Sequence, residues 1–303
     1  MSNDLAVHGL LPMPLLPFVI VLLSTFMHAG WNLLARQQRG RDITLPLLLI
    51  ISVVGLLPAI LIEWQTGSIL PTIWPYTLLA ACFQAMYYFG LFKGYHQGEF
   101  TVVYPLARSL PVLALTLADV IQGDVPTVMG WVGMGLIALG CLLAPLESWR
   151  SFALARYWNK TTIWILITAT GMMGYTLVDR SAAALLRPGA DTALRYSFWE
   201  TVATAGAYWL LLQLMRLPII QIQGRTDWAR AALASVLMFG AYSLVLWAYQ
   251  MPVPVSYIVA LRQFSIVLGV IAGAILFHEP APRWRISMAL LIVVGVMLIS
   301  VWG

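Results

Sequence analysis

The sequence predicts an all-α integral membrane protein with ten transmembrane helices arranged as two inverted five-helix repeats. Three observations predict it. Apolar residues make up 61% of the chain and charged residues only 10%, a balance that cannot clothe a water-soluble surface. The apolar residues gather into ten stretches, each near the ~20 residues that carry a helix across a bilayer. One stretch is also written twice: GWNLLAR at 30–36 returns as GYTLVDR at 174–180, and Tyr95 and Arg108 return as Tyr249 and Arg262.

The stretches run over 15–35, 43–63, 74–95, 101–121, 126–146, 161–183, 191–215, 228–250, 254–277 and 282–302. Backbone groups find no water inside lipid, so each stretch must close its own hydrogen bonds as a helix. The first repeat covers 15–146 and the second 161–303, joined by a connection at 147–160 and preceded by a tail at 1–14. That tail lacks the basic start of a cleaved leader, so the first helix is expected to be retained. Five is odd, so the second repeat must enter the membrane in the opposite sense, with a site expected at the interface between repeats.

Helix one carries Ser24, His28, Asn32 and Arg36 at four-residue spacing, a polar stripe that must face protein. Trp31 beside it offers an aromatic wall or a face for a cation. His28 is a proton-coupling candidate because an imidazole titrates near neutral pH; packing is the alternative, and its repeat mate is Met172. Helix three offers Gln84, Tyr88 and Tyr95, and helix eight answers with Met238, Tyr242 and Tyr249. Tyr88 and Tyr242 lie deep enough to border a cavity, whereas Tyr95 and Tyr249, near helix ends, read as members of an interfacial belt.

Helices four and nine carry Arg108 and Arg262, seven or eight residues inside apolar sequence. A charge at the bilayer centre costs at least ~2.5 kcal/mol, so each must face protein or water. Either they grip a carboxylate, phosphate or phosphonate through the guanidinium fork, or they tie helices together. Tyr104 precedes Arg108 by one turn, and on helix six Tyr175 precedes Asp179 by one turn, so each pair shares a face. Asp179 is a candidate counter-ion for one of the arginines. Helix seven holds Glu200 within SFWETVATAG without a base on its own face, a second candidate to load and release a proton. Pro105, Pro111, Pro252 and Pro254 flank or enter helices four and nine and are candidate bending points.

Cys82 and Cys141 sit in apolar helices with no paired spacing, so they read as small core residues. The odd connections carry twelve Lys and Arg against three, Arg180, Arg187 and Arg195, in the even ones. The positive-inside rule then places odd connections in the cytoplasm and both termini outside. The excess of positive charge is thereby a topology signal, and nucleic acid is not an expected partner.

HAGWN at 28–32, YPLARSLP at 104–111 and VALRQFSIVLGVIAGAILFHE at 259–279, together with the duplicated five-helix unit, resemble the EamA-type members of the drug/metabolite transporter superfamily. The resemblance covers nearly the whole chain. It implies a cavity walled by helices one, three, four, six, eight and nine, with five and ten outside them. The function expected is a secondary transporter of a small polar metabolite, anionic or zwitterionic such as an amino acid or a phosphonate, working by alternating access in an inner or plasma membrane. A flippase for a lipid-linked sugar or phospholipid headgroup is the alternative. An intramembrane enzyme is opposed by the lack of a nucleophile, histidine and acid at helical spacing. No cofactor or metal is expected. The expected partners are the small-molecule substrate, membrane lipid and a proton, and a monomer suffices for a fold that already pairs two repeats.

Overall fold

The computed structural model describes residues 14–37, 41–97, 100–143, 146, 160–222, 224–276 and 283–302. The tail at 1–13, most of the connection at 147–159, and Glu279 of the family-like segment lie outside them. The described residues form a helical bundle: α1 Leu15–Gln37, α2 Thr44–Thr66, α3 Leu70–Gln97, α4 Phe100–Gln122 and α5 Val128–Leu143, then α6 Lys160–Ala183, α7 Ala190–Leu214, α8 Arg225–Tyr249, α9 Val255–Arg262, α10 Phe264–Leu276 and α11 Arg283–Trp302.

The bundle is dressed for lipid. Val53, Val54, Leu57, Leu117, Ile121 and Val236 are exposed, while Ser24, Asn32, Thr168, Thr176, Asp179 and Glu200 are buried. Leu15–Ala35, Thr44–Thr66, Thr161–Ala183 and Arg225–Tyr249 are each long and apolar enough to cross a membrane. This is a multi-pass membrane protein, with polar side chains turned inward because only there can they find partners.

Packing follows the repeat. α1 lies on α8 and α3 on α6, so exchanging the halves turns one contact into the other. The pairs α2 with α7, α4 with α9, and α5 with α11 each map onto themselves under the same exchange. α5 and α11 touch backbone to backbone at Gly133 and Gly295, where a Cβ on either would stand 2.7 or 2.6 Å from the other's carbonyl oxygen. That closeness is available only to glycine.

Two polar ties hold α2 antiparallel to α7. At one end Arg195 Nε donates to Glu63 Oε1 at 2.7 Å, with both side chains nearly buried, and Glu63 Oε2 accepts from the Ile69 amide at 2.8 Å. At the other, Tyr208 donates its hydroxyl to Asp42 at 2.5 Å, and Asp42 also accepts the Thr44 amide. The structure thus corrects the reading of Arg195 as a connection charge: it lies in the first turns of α7 and is committed to Glu63.

The ninth segment is also corrected. Expected as one helix over 254–277, it breaks at Gln263 into α9 and α10. The break contains neither Gly nor Pro. Gln263 turns its side-chain amide onto the carbonyl of Val259, four residues back, at 3.0 Å, so that acceptor is taken by a side chain. The Gln263 backbone N–H bonds Ala260 instead, three residues back, at 2.9 Å, and Ile266 N–H bonds Gln263 at 2.8 Å. A side chain competing with the ladder tightens the helix locally and divides it.

Candidate functional site

At the centre lies a small, partly open space lined by His28 and Trp31 of α1, Gln84, Tyr87 and Tyr88 of α3, Tyr175 of α6, Met238 and Tyr242 of α8, and Arg262 of α9. Three repeat-equivalent pairs meet there: Trp31 with Tyr175, Gln84 with Met238, and Tyr88 with Tyr242. The space therefore sits where the halves face each other. The space has room for about one or two waters.

The walls are aromatic and contact one another edge to face. Trp31 meets Tyr88 at 6.3 Å, Tyr88 meets Tyr87 at 5.1 Å, Tyr87 meets Tyr175 at 5.6 Å, and Tyr175 meets Tyr242 at 5.7 Å between ring centres. The edge-to-face arrangement suits ring quadrupoles and fixes each ring's angle.

The two arginines, equivalent by repeat, do different things. Both are 2% exposed. Arg108 is tied into the protein: its Nε donates to Gln263 Oε1 at 3.0 Å, and its Nη1 lies 2.5 Å from His28 Nε2. Arg262 lines the cavity, and its Nε and Nη1 have no hydrogen-bond partner among the described residues. The alternatives left open by the sequence divide between the two copies, with helix-tying at Arg108 and an open guanidinium at Arg262.

Residues 15–145 match the family model described as the EamA-like transporter family. The first half of the chain is thus similar to EamA-like transporters. A solved crystal structure, described only as that of a protein, superposes with a TM-score of 0.70 over 93% of this chain and 95% of that one. At 14% identity this likeness shows the fold alone. No curated protein matches the sequence.

In this bundle the remaining candidates fall around the cavity. Asn32 sits one layer behind it, donating to the His28 carbonyl at 2.8 Å and accepting from the Tyr95 hydroxyl at 3.3 Å. Trp31 Nε1 donates to His28 Nδ1 at 3.1 Å. Asp179 is fully buried and makes no ion pair with either arginine; it accepts from Tyr196 at 2.8 Å and, by a short bond, from Tyr242. The counter-ion reading of Asp179 is thereby replaced by a carboxyl held by two tyrosines. Glu200 accepts the Gln84 amide at 2.5 Å on Oε1, while its Oε2 has no partner among the described residues. Gln84 in turn accepts from Thr204 at 3.2 Å. The Tyr104 side chain lies outside the described residues, as does that of Arg36. Tyr249 is 2% exposed, which corrects its assignment to the interfacial belt.

Sequence reasoning missed Tyr87, next to Tyr88 yet also turned inward, and Gln263. The signal for Gln263 was its place beside Arg262, a second amphipathic residue in apolar sequence. Among the described residues no group of three His, Cys, Asp or Glu is placed to hold a metal.

Proposed function

We propose that this protein is a secondary transporter of a small anionic or zwitterionic metabolite, such as an amino acid or a phosphonate, across an inner or plasma membrane by alternating access. The observation that carries this reading is Arg262, a buried guanidinium with two nitrogens unpartnered at the edge of an aromatic cavity. A buried cation with vacant donors is costly, and a carboxylate or phosphonate offers the paired acceptors that its fork fits. The faces of Trp31, Tyr88 and Tyr242 supply a place for an ammonium group on the same cargo.

The cavity is too small for any such cargo. Loading therefore requires the halves to part, and in an inverted pair a rocking motion about the shared interface opens one side as it closes the other. We assign proton exchange to Glu200. Glu200 is 1% exposed and lies next to Asp179, its Oε2 has no hydrogen-bond partner, and no Lys or Arg forms an ion pair with either acid among the described residues. Gln84 and Tyr242 join this acid pair to the cavity wall. His28 is less suited to carry the proton, because Trp31 and Arg108 stand at its two ring nitrogens, and a doubly protonated ring would turn an N–H toward each of these donors.

The test is uptake into proteoliposomes, with L-alanine, L-glutamate and methylphosphonate as radiolabelled probes. Uptake by wild type and loss in Arg262→Ala at matched reconstitution is the expected result. Probe-independent behaviour, with headgroup-labelled phospholipid crossing the bilayer instead, would favour a flippase and reject this reading.

A further inference from the structure

The equivalent arginines differ because one of them builds the site of the other. α4 runs alongside the short α9 in the opposite direction and grips it at both ends. At the start, Asp119 Oδ2 accepts the Ser256 amide at 2.7 Å, satisfying a first-turn N–H that has no partner within the helix. At the far end, Arg108 Nε donates to Gln263 Oε1, and the other end of the same amide occupies the Val259 carbonyl. Asp119 and Arg108 are 4% and 2% exposed, and Gln263 is wholly buried.

A side-chain amide has one oxygen and one nitrogen to place. Arg108 has only donors, so it fixes which end of Gln263 is the oxygen. The nitrogen is then directed at Val259, and that contact displaces the backbone N–H from the carbonyl and divides the helix. Arg262 is the last residue before the division. In an unbroken helix, the backbone at this point would turn by the α rather than the tighter increment, carrying everything beyond it to a different angle.

We propose that Arg108 and Gln263 are positioning residues: they hold the break between α9 and α10 that presents the Arg262 guanidinium to the cavity, while Arg262 alone meets the cargo's anionic group. The proposal rests on the reading of Arg262 given above. It also explains why the repeat is not repeated here, since the position equivalent to Gln263 in the first half is Ser109, a residue without a side-chain amide, and α4 runs unbroken from Phe100 to Gln122.

The experiment is a structure of Gln263→Leu in lipid nanodiscs at side-chain resolution, with Arg108→Lys as the second variant should the first fold poorly. Alongside it, binding of L-alanine, L-glutamate, methylphosphonate and inorganic phosphate is measured for both variants, wild type and Arg262→Ala. The expected structure has α9 and α10 joined, with the amide of residue 263 on the Val259 carbonyl and Arg262 turned off the cavity. Binding of the probe that wild type holds best weakens by about tenfold or more. An unchanged break, or affinity at the wild-type value in a folded Gln263→Leu, overturns the proposal. Affinity that survives Arg262→Ala overturns the cargo reading instead, and the structural arm then still decides the origin of the break. General loosening is separable, because it lowers the melting temperature without joining the helices.

Discussion

Arg108 and Arg262 share a sequence position and a burial, yet removing them has opposite expected effects on the empty protein. Arg262→Met deletes a guanidinium with vacant donors from the buried interior, so the ligand-free melting temperature is expected to hold or rise while binding is lost. Arg108→Met strands the Gln263 carbonyl oxygen and removes one partner of His28, and is expected to destabilise by about 3 kcal/mol. Melting of both variants in one detergent checks this; a loss of stability at Arg262 as large as at Arg108 contradicts the division of labour. Glu200→Gln is expected to keep a polar group against Gln84 yet abolish uptake driven by a pH gradient, leaving exchange of cargo without a gradient intact. Gradient-driven uptake at the wild-type rate would remove Glu200 from the coupling role.

The elements were legible in the sequence to the extent that lipid dictates them. Apolar runs located the helices to within a few residues, and the stripe at Ser24, His28 and Asn32 is buried as four-residue spacing requires. What the sequence concealed lies where a side chain overrides the backbone pattern. Gln263 divides a helix through a hydrogen bond that no periodicity encodes, and Arg195 pairs with Glu63 132 positions away, which no local reading joins. Tyr249 looked interfacial by its place near a helix end, but the carbonyl of that residue receives Arg180 Nη1 at 2.8 Å, drawing the end into the bundle.

At the same scale, Gly133→Leu is expected to pry α5 from α11 and cost about 1–3 kcal/mol, because a Cβ meets the Gly295 carbonyl. Gly135→Ala, with nothing within 4 Å of a Cβ, is the neutral control. Thermal unfolding of the two variants distinguishes them. Between α1 and α2, burial raises the Asp42 carboxyl above its ordinary 3.8, with hydrogen bonds from Tyr208 and Thr44 pulling the other way. The folded protein therefore holds that proton more tightly than the unfolded chain. Its contribution to stability is fully present below the ordinary value and is lost as pH rises through the raised one. Asp42→Asn is expected to flatten that part of the stability profile; an unchanged slope between pH 4 and 7 contradicts it.

For the whole molecule, the contacts exchange under exchange of the halves, and the cavity lies between equivalent residues of each. The equivalent positions differ where the chemistry sits: His28 against Met172, Gln263 against Ser109, Asp179 against Ala35. Both termini are expected outside the cytoplasm from the balance of Lys and Arg, so a C-terminal reporter active only in the cytoplasm is expected to stay dark, and a bright one reverses the orientation.

The central claim is that the open guanidinium of Arg262 binds the anionic group of the cargo. Its most direct measurement is calorimetric binding of L-alanine, L-glutamate and methylphosphonate to purified wild type, Arg262→Lys and Arg262→Ala. The account predicts saturable binding by wild type, weakening by about tenfold or more in the lysine variant, which keeps the charge but not the fork, and loss in the alanine variant. Equal affinity in all three proteins would contradict it and return Arg262 to a structural role.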